Sequence, residues 1–393
     1  MTPIRTYGLP VVGALIVTVA CNLPSQTRVP WEEPNPGLFT TGPYILLGAP
    51  GVAFIALKAD LPAPPIVDWW IPADGSEVGD GAGQAAQVVS VTARRGDGVW
   101  VARLENLPIG PYIEYRVRST AGDTAPSRFR VGVPPGEPFR FAVFGDTRTG
   151  HRVHRAVIEA IVNEQVAFFM HTGDMVERGG FDDQWDRFFQ IERPLLAKAP
   201  IVPAIGNHDE STRNYFRRYF LLHLWAGNRR YYYHDWGNLR VVVVDTYVEC
   251  QRTCAQFTFA ARALEEGVRK GMLLAILVHE PPYSSGHHGS NKQLRKPIED
   301  LAVEYGVEIV FTGHDHDYER TKPIHGVTYV VSGSAGAPIR PVKPQWFTAT
   351  ARTEPHYVLV DVEHDRLVLR AINLKGDTFD TVVVPPNPPR ALR

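Results

Sequence analysis

Apolar residues along this chain fall into short runs whose rhythm changes once, near residue 134. Before that point the runs alternate with polar residues and are broken by Gly and Pro. Residues 52–57, 86–91, 99–104 and 112–117 each predict a strand, and Asp80-Gly81-Ala82-Gly83 predicts a turn. Strands at this spacing predict a small all-β sandwich over residues 42–134. After Val133-Pro134-Pro135-Gly136-Glu137-Pro138 the strands take turns with amphipathic helices. Residues 139–144 read as a strand; 152–165 read as a helix because Val153, Val157, Ile158, Ile161 and Val162 recur at helical spacing. Strands follow at 166–170, 201–205, 239–244, 273–278 and 307–311, with helices at 184–196, 255–269 and 292–305 between them. Consecutive strands at 328–331, 357–362, 366–372 and 378–384 close a layered α/β domain over 138–384. The Pro-rich tail 385–393 cannot continue a sheet.

The first residues read as a processing signal. Arg5 precedes an apolar stretch over 9–20, too short for the ~20 residues of a membrane span but suited to a signal peptide over 1–21. Val17-Thr18-Val19-Ala20-Cys21 resembles a bacterial lipobox, which implies an exported protein, lipid-anchored through Cys21 in the cell envelope. Plain cleavage near Ala20 is the alternative. Residues 22–41, with Pro24, Pro30, Pro34 and Pro36, read as an extended tether. In an oxidising compartment Cys250 and Cys254 are expected to form a local disulfide; a zinc site would need ligands that no further Cys supplies.

Composition narrows the function classes. The 393 residues suit two domains, and 41 Lys+Arg against 42 Asp+Glu give a net charge of −1, which argues against bulk nucleic-acid binding. Histidine is unevenly spread: none of the 14 precedes His151, and 12 lie between His151 and His325. Five short motifs follow predicted strands there: Gly145-Asp146-Thr147-Arg148, His171-Thr172-Gly173-Asp174, Gly206-Asn207-His208-Asp209, His279-Glu280-Pro281-Pro282-Tyr283 and Gly313-His314-Asp315-His316. A lone Gly-Asp is ordinarily a turn. Together the motifs supply Asp, Asn and His at one sheet edge, a mixed N/O donor set that suits Fe, Zn or Mn.

The order of these motifs resembles the calcineurin-like metallophosphoesterases, and Gly313–Arg320 with an upstream sandwich is similar to purple acid phosphatases. That resemblance implies a four-layer α/β catalytic sandwich behind a fibronectin type III-like domain. It further implies an acid phosphatase-like hydrolase of small or exposed phosphate esters that uses two metal ions and a metal-activated hydroxide. Asp174 would bridge the ions, Asp146 and His316 would hold the first, and Asn207, His279 and His314 the second. His208 would act on the phosphate and leaving group with Asp209 as its orienting partner, and His287 and His288 would contact substrate. The sequence departs from its relatives at two places. Arg148 stands where many metallophosphoesterases have a His ligand, and Glu177 where purple acid phosphatases have a Tyr ligand. Arg148 is therefore expected on the phosphate and Glu177 on the first metal, with an Arg148–Glu177 ion pair as the alternative. A phosphodiesterase or nucleotidase on the same site, and a non-catalytic surface protein with a degenerate site, are the competing functions.

Overall fold

In the computed structural model, residues 37–72, 88–248 and 254–389 are described. The leader 1–21 with Cys21, most of the tether, the turn at 80–83 and Cys250 lie outside the described residues; Cys254 is disulfide-bonded.

The alternating runs near the N-terminus form two antiparallel sheets. One runs Thr41–Leu47, Ala53–Lys58, Val99–Leu104, Arg94–Gly96; the other runs Val89–Thr92, Ile66–Trp70, Ile113–Ser119, Gly122–Asp123, with Ser127–Phe129 also pairing on Ile113–Ser119. Strand Ile66–Trp70 was not expected from its pattern, because its polar member is buried too: Asp68 is 2% exposed and takes Arg118 Nε at 2.7 Å. Trp70 is likewise buried and donates its indole N–H to Glu114 Oε2 at 2.9 Å.

Two larger sheets follow. The first orders Ile201–Pro203, Phe168–His171, Phe139–Phe144, His356–Val362, Leu367–Asn373 and Thr378–Val384. Its first three strands are parallel and the rest antiparallel. The second orders Tyr232–Trp236, Leu239–Val244, Leu273–Val278, Ile309–Thr312, Thr328–Ser332, Tyr318–Thr321 and Thr348–Arg352. Its central strands are parallel and buried on both faces, which is why Leu273–Val278 is an unbroken apolar run rather than an alternating one. The sheets meet face to face: Phe141 packs edge-on to Phe311 at 6.1 Å, and Phe168 lies 5.1 Å from Trp236. Helices His151–Val162 and Asp182–Leu196 pack on the first sheet through Phe188. Ala255–Arg269 and Lys292–Tyr305 bury Phe257, Leu264 and Ile298 against Val242, Ile276 and Val310 of the second. The result is the expected four layers, helix, sheet, sheet, helix.

The N-terminal sheets dock on helix Asp182–Leu196. Tyr44 packs on Phe189 at 4.6 Å and donates its hydroxyl to Tyr219 O, while Lys58 Nζ reaches Asp182 at 2.8 Å and Asp186 at 2.7 Å. Among the described residues no helix is long and apolar enough to cross a membrane.

Candidate metal centre

The parallel strands of both sheets end on the same side, and each of the five motifs begins at such an end, the position where open α/β sheets place ligands. Three of the candidate ligands sit in the left-handed backbone region: Asp146 at φ 54°, Asp174 at φ 56° and His314 at φ 68°. Such conformations cost about 1–3 kcal/mol each and persist only where the surroundings over-determine them. Here main-chain bonds do so: Asp146 N donates to Gly173 O, and His314 N donates to Asp146 Oδ2. Neighbouring glycines make room, since a Cβ on Gly206 would overlap the Asp174 carboxylate and one on Gly313 the Asp146 carboxylate.

One ligand atom each from Asp146, Asp174 and His279 lies within 4.8 Å of the others, and all three residues are buried. The histidines are aimed by their second nitrogens. Nδ1 of His279 donates to Thr172 O at 2.8 Å, leaving Nε2 at 3.4 Å from Asp174 Oδ1 and 3.3 Å from Asn207 Oδ1. Nδ1 of His316 donates to Pro338 O at 2.8 Å, leaving Nε2 at 3.6 Å from Asp146 Oδ1. These bonds assign the tautomer that offers a lone pair to the centre. His314 packs edge-on to His279 at 5.1 Å. Burial, with neighbouring imidazoles, holds His314 down at about 2, and burial holds His316 at about 4, so both are neutral donors near pH 7.

A cation fits this cluster. Asp146 Oδ1 is buried without a hydrogen-bond partner, and burial together with the Asp174 charge pushes the Asp146 carboxyl well above its usual range. Two adjacent buried carboxylates facing neutral imidazole lone pairs are costly alone and favourable around a metal ion.

Other expected residues fall differently. His208 sits at the open edge, its Nδ1 donating to Glu177 O at 2.8 Å and its Nε2 lying 3.9 Å from Asp174 Oδ2. That carbonyl, and not Asp209, orients the ring. Asp209 instead accepts four main-chain N–H groups, from Asp174, Met175, Val176 and Gly206, and so ties two of the motif loops together. Burial and the Asp174 charge raise its carboxyl, against the pull of those amides. The Glu177 carboxylate does not join the cluster; it pairs with Arg148 Nη1 at 2.5 Å and is 40% exposed. The ion pair replaces the expected metal ligand because the Arg148 guanidinium, wedged 3.5 Å from Asp174 Oδ2 and 3.4 Å from His316 Nε2, faces Glu177 directly. His288 stacks over the centre, 4.3 Å from the His314 ring, with His287 beside it at 5.1 Å. Arg340, which no motif announces, lies against His288 with Nη1 at 2.6 Å from Nε2.

Residues 139–318, which carry these strand ends, match the calcineurin-like phosphoesterase family. The chain is 27% identical to purple acid phosphatase 21 of Arabidopsis thaliana over 252 residues, 58% of this chain and 56% of that protein. It spans about half the length of the curated relatives it matches. The structure of purple acid phosphatase PPD1 from yellow lupin (Lupinus luteus) seeds superposes with a TM-score of 0.73 at 18% identity, covering 89% of this chain and 74% of that one. That of PhoD superposes at 0.66 and 11% identity, covering 88% and 89%. The fold is that of the purple acid phosphatases.

Proposed function

We propose that the chain is an exported, metal-dependent phosphoric ester hydrolase, acid phosphatase-like, acting on small or exposed phosphate esters. The observation that carries this reading is the buried Asp146–Asp174 pair facing the Nε2 atoms of His279 and His316, with His208 on the open side. Asp146 and His316 would hold one ion, Asn207, His279 and His314 a second, and Asp174 both. When bound, two such ions neutralise charge on the phosphoryl group and make water acidic enough to attack at neutral pH. Arg148, pinned by Glu177, presents its remaining N–H groups toward a phosphate oxygen beside Asp174. His208, its Nδ1–H fixed on the Glu177 carbonyl, carries a proton on Nε2 to the leaving oxygen. The lipobox-like Cys21 supports a lipid anchor, which would hold the domain at the cell envelope.

The test is metal content and hydrolysis of p-nitrophenyl phosphate and bis-p-nitrophenyl phosphate by the purified full chain. Two ions of Fe, Zn or Mn per chain and faster cleavage of the monoester are expected. Asp174→Asn should empty or scramble both sites, while His208→Ala should keep its metal and lose ~10²–10⁴-fold in rate. Faster cleavage of the diester would make the protein a phosphodiesterase. A metal-free chain that cleaves neither ester would leave a non-catalytic binding protein.

A further inference from the structure

The segment after strand Thr328–Ser332 returns across the metal centre. Ala337 N donates to Asp146 O at 2.6 Å, Pro338 O takes His316 Nδ1, and Arg340 N donates to His316 O at 3.2 Å. This lays the Arg340 guanidinium at the mouth, against His288, whose main-chain N–H is in turn fixed by Asp315 Oδ1 at 2.6 Å. Four well-buried arginines of this domain are neutralised by carboxylates: Arg148 by Glu177, Arg230 by Asp245, Arg240 by Asp235 and Arg320 by Asp380. Arg340, partly buried, differs from these four. Among the described residues no carboxylate lies within 4.0 Å of its charged nitrogens, and a neutral imidazole is its side-chain partner. A partly buried guanidinium with one N–H committed and no counter-charge keeps a planar fork for an anion.

We propose that Arg340 and His288 form a second anion subsite at the mouth of the metal centre, which takes a second phosphoryl group of the substrate. The inference deepens the function proposed above and rests on it. Phosphoanhydrides and bisphosphorylated esters then outcompete single phosphate esters, because the group that does not react is held by Arg340 while its neighbour sits between Asp146, Asp174 and Arg148.

The experiment uses the full-length, metal-loaded protein. Affinities for pyrophosphate and orthophosphate are measured by calorimetry, and kcat/KM for ADP and AMP in parallel, for the parent, Arg340→Gln and Arg340→Lys. A parent preference for pyrophosphate over orthophosphate that falls ~10–100-fold in Arg340→Gln, and is partly kept in Arg340→Lys, is expected for loss of one charge-assisted contact. A preference that survives Arg340→Gln overturns the subsite, as does a parent that prefers phosphate esters bearing a carboxylate over pyrophosphate. Metal lost from both variants would reassign Arg340 to holding the imidazole layer. Tight, Arg340-dependent pyrophosphate binding without turnover of any ester would defeat the hydrolase reading and leave the subsite standing.

Discussion

Arg148 lies beside the Asp174 carboxylate, and its surroundings set what a substitution does. Its side chain is 10% exposed and lies between Asp174 and Glu177. Removing either partner of the Arg148–Glu177 pair strands the other, so Arg148→Ala and Glu177→Ala should each lower stability in urea unfolding. The double variant should cost less than their sum. Because Glu177 is partly solvated, the coupling in that cycle should be about 1 kcal/mol, near the low end for charged neighbours. A coupling near zero would release Glu177 from the pair. The residues that the structure gathers around Asp146 and Asp174 were legible because each lies in a short motif at a strand end. Arg340 was not: its place depends on where a loop returns, which local spacing does not encode. Asp209 misled because it follows His208 directly. Successive side chains in a turn diverge, and this one turns inward to collect main-chain N–H groups.

At the level of elements, strands Leu273–Val278 and Ile309–Thr312 are tied to the C-terminal tail by one buried carboxyl. Glu308 accepts from Leu274 N at 2.6 Å and from Asn387 N at 3.2 Å, and burial pushes it up to about 7. A carboxyl raised in the folded state contributes stability that is complete below its unfolded value of 4.5 and is lost as pH rises through about 7. The loss should approach about 3 kcal/mol between those limits. Thermal melts across that window should therefore fall more steeply for the parent than for Glu308→Gln; equal slopes would remove Glu308 from the account. Helices Ala255–Arg269 and Lys292–Tyr305 and strands Leu239–Val244 and Leu273–Val278 match their expected bounds, since each has a clear period or apolar run. Tyr318–Thr321 and Thr348–Arg352 escaped notice because their charged and hydroxyl side chains are partnered within the fold. Arg320 pairs with Asp380 at 2.6 Å, and Glu319 accepts from Thr348 at 2.5 Å. Hydrophobic period cannot report a strand whose buried face is polar.

For the molecule as a whole, Lys58 joins the N-terminal sheets to the helix that backs the first of the two large sheets. It serves two carboxylates, Asp182 and Asp186, and its Nζ also lies 3.2 Å from the Tyr219 hydroxyl. Lys58→Met should leave two neighbouring carboxylates opposed, lowering the unfolding midpoint and exposing the contact to limited proteolysis, with metal content equal to that of the parent. An unchanged melting temperature and digestion pattern would mean that the apolar packing around Tyr44 suffices alone. The left-handed turns at Asp146, Asp174 and His314 have a consequence on the same scale. Their torsional strain is carried by the scaffold, and their neighbours hold them with hydrogen bonds that involve no ion. The centre is thus a cast mould and not a closing hand. An ion bound there would meet a chain whose path these hydrogen bonds have already set.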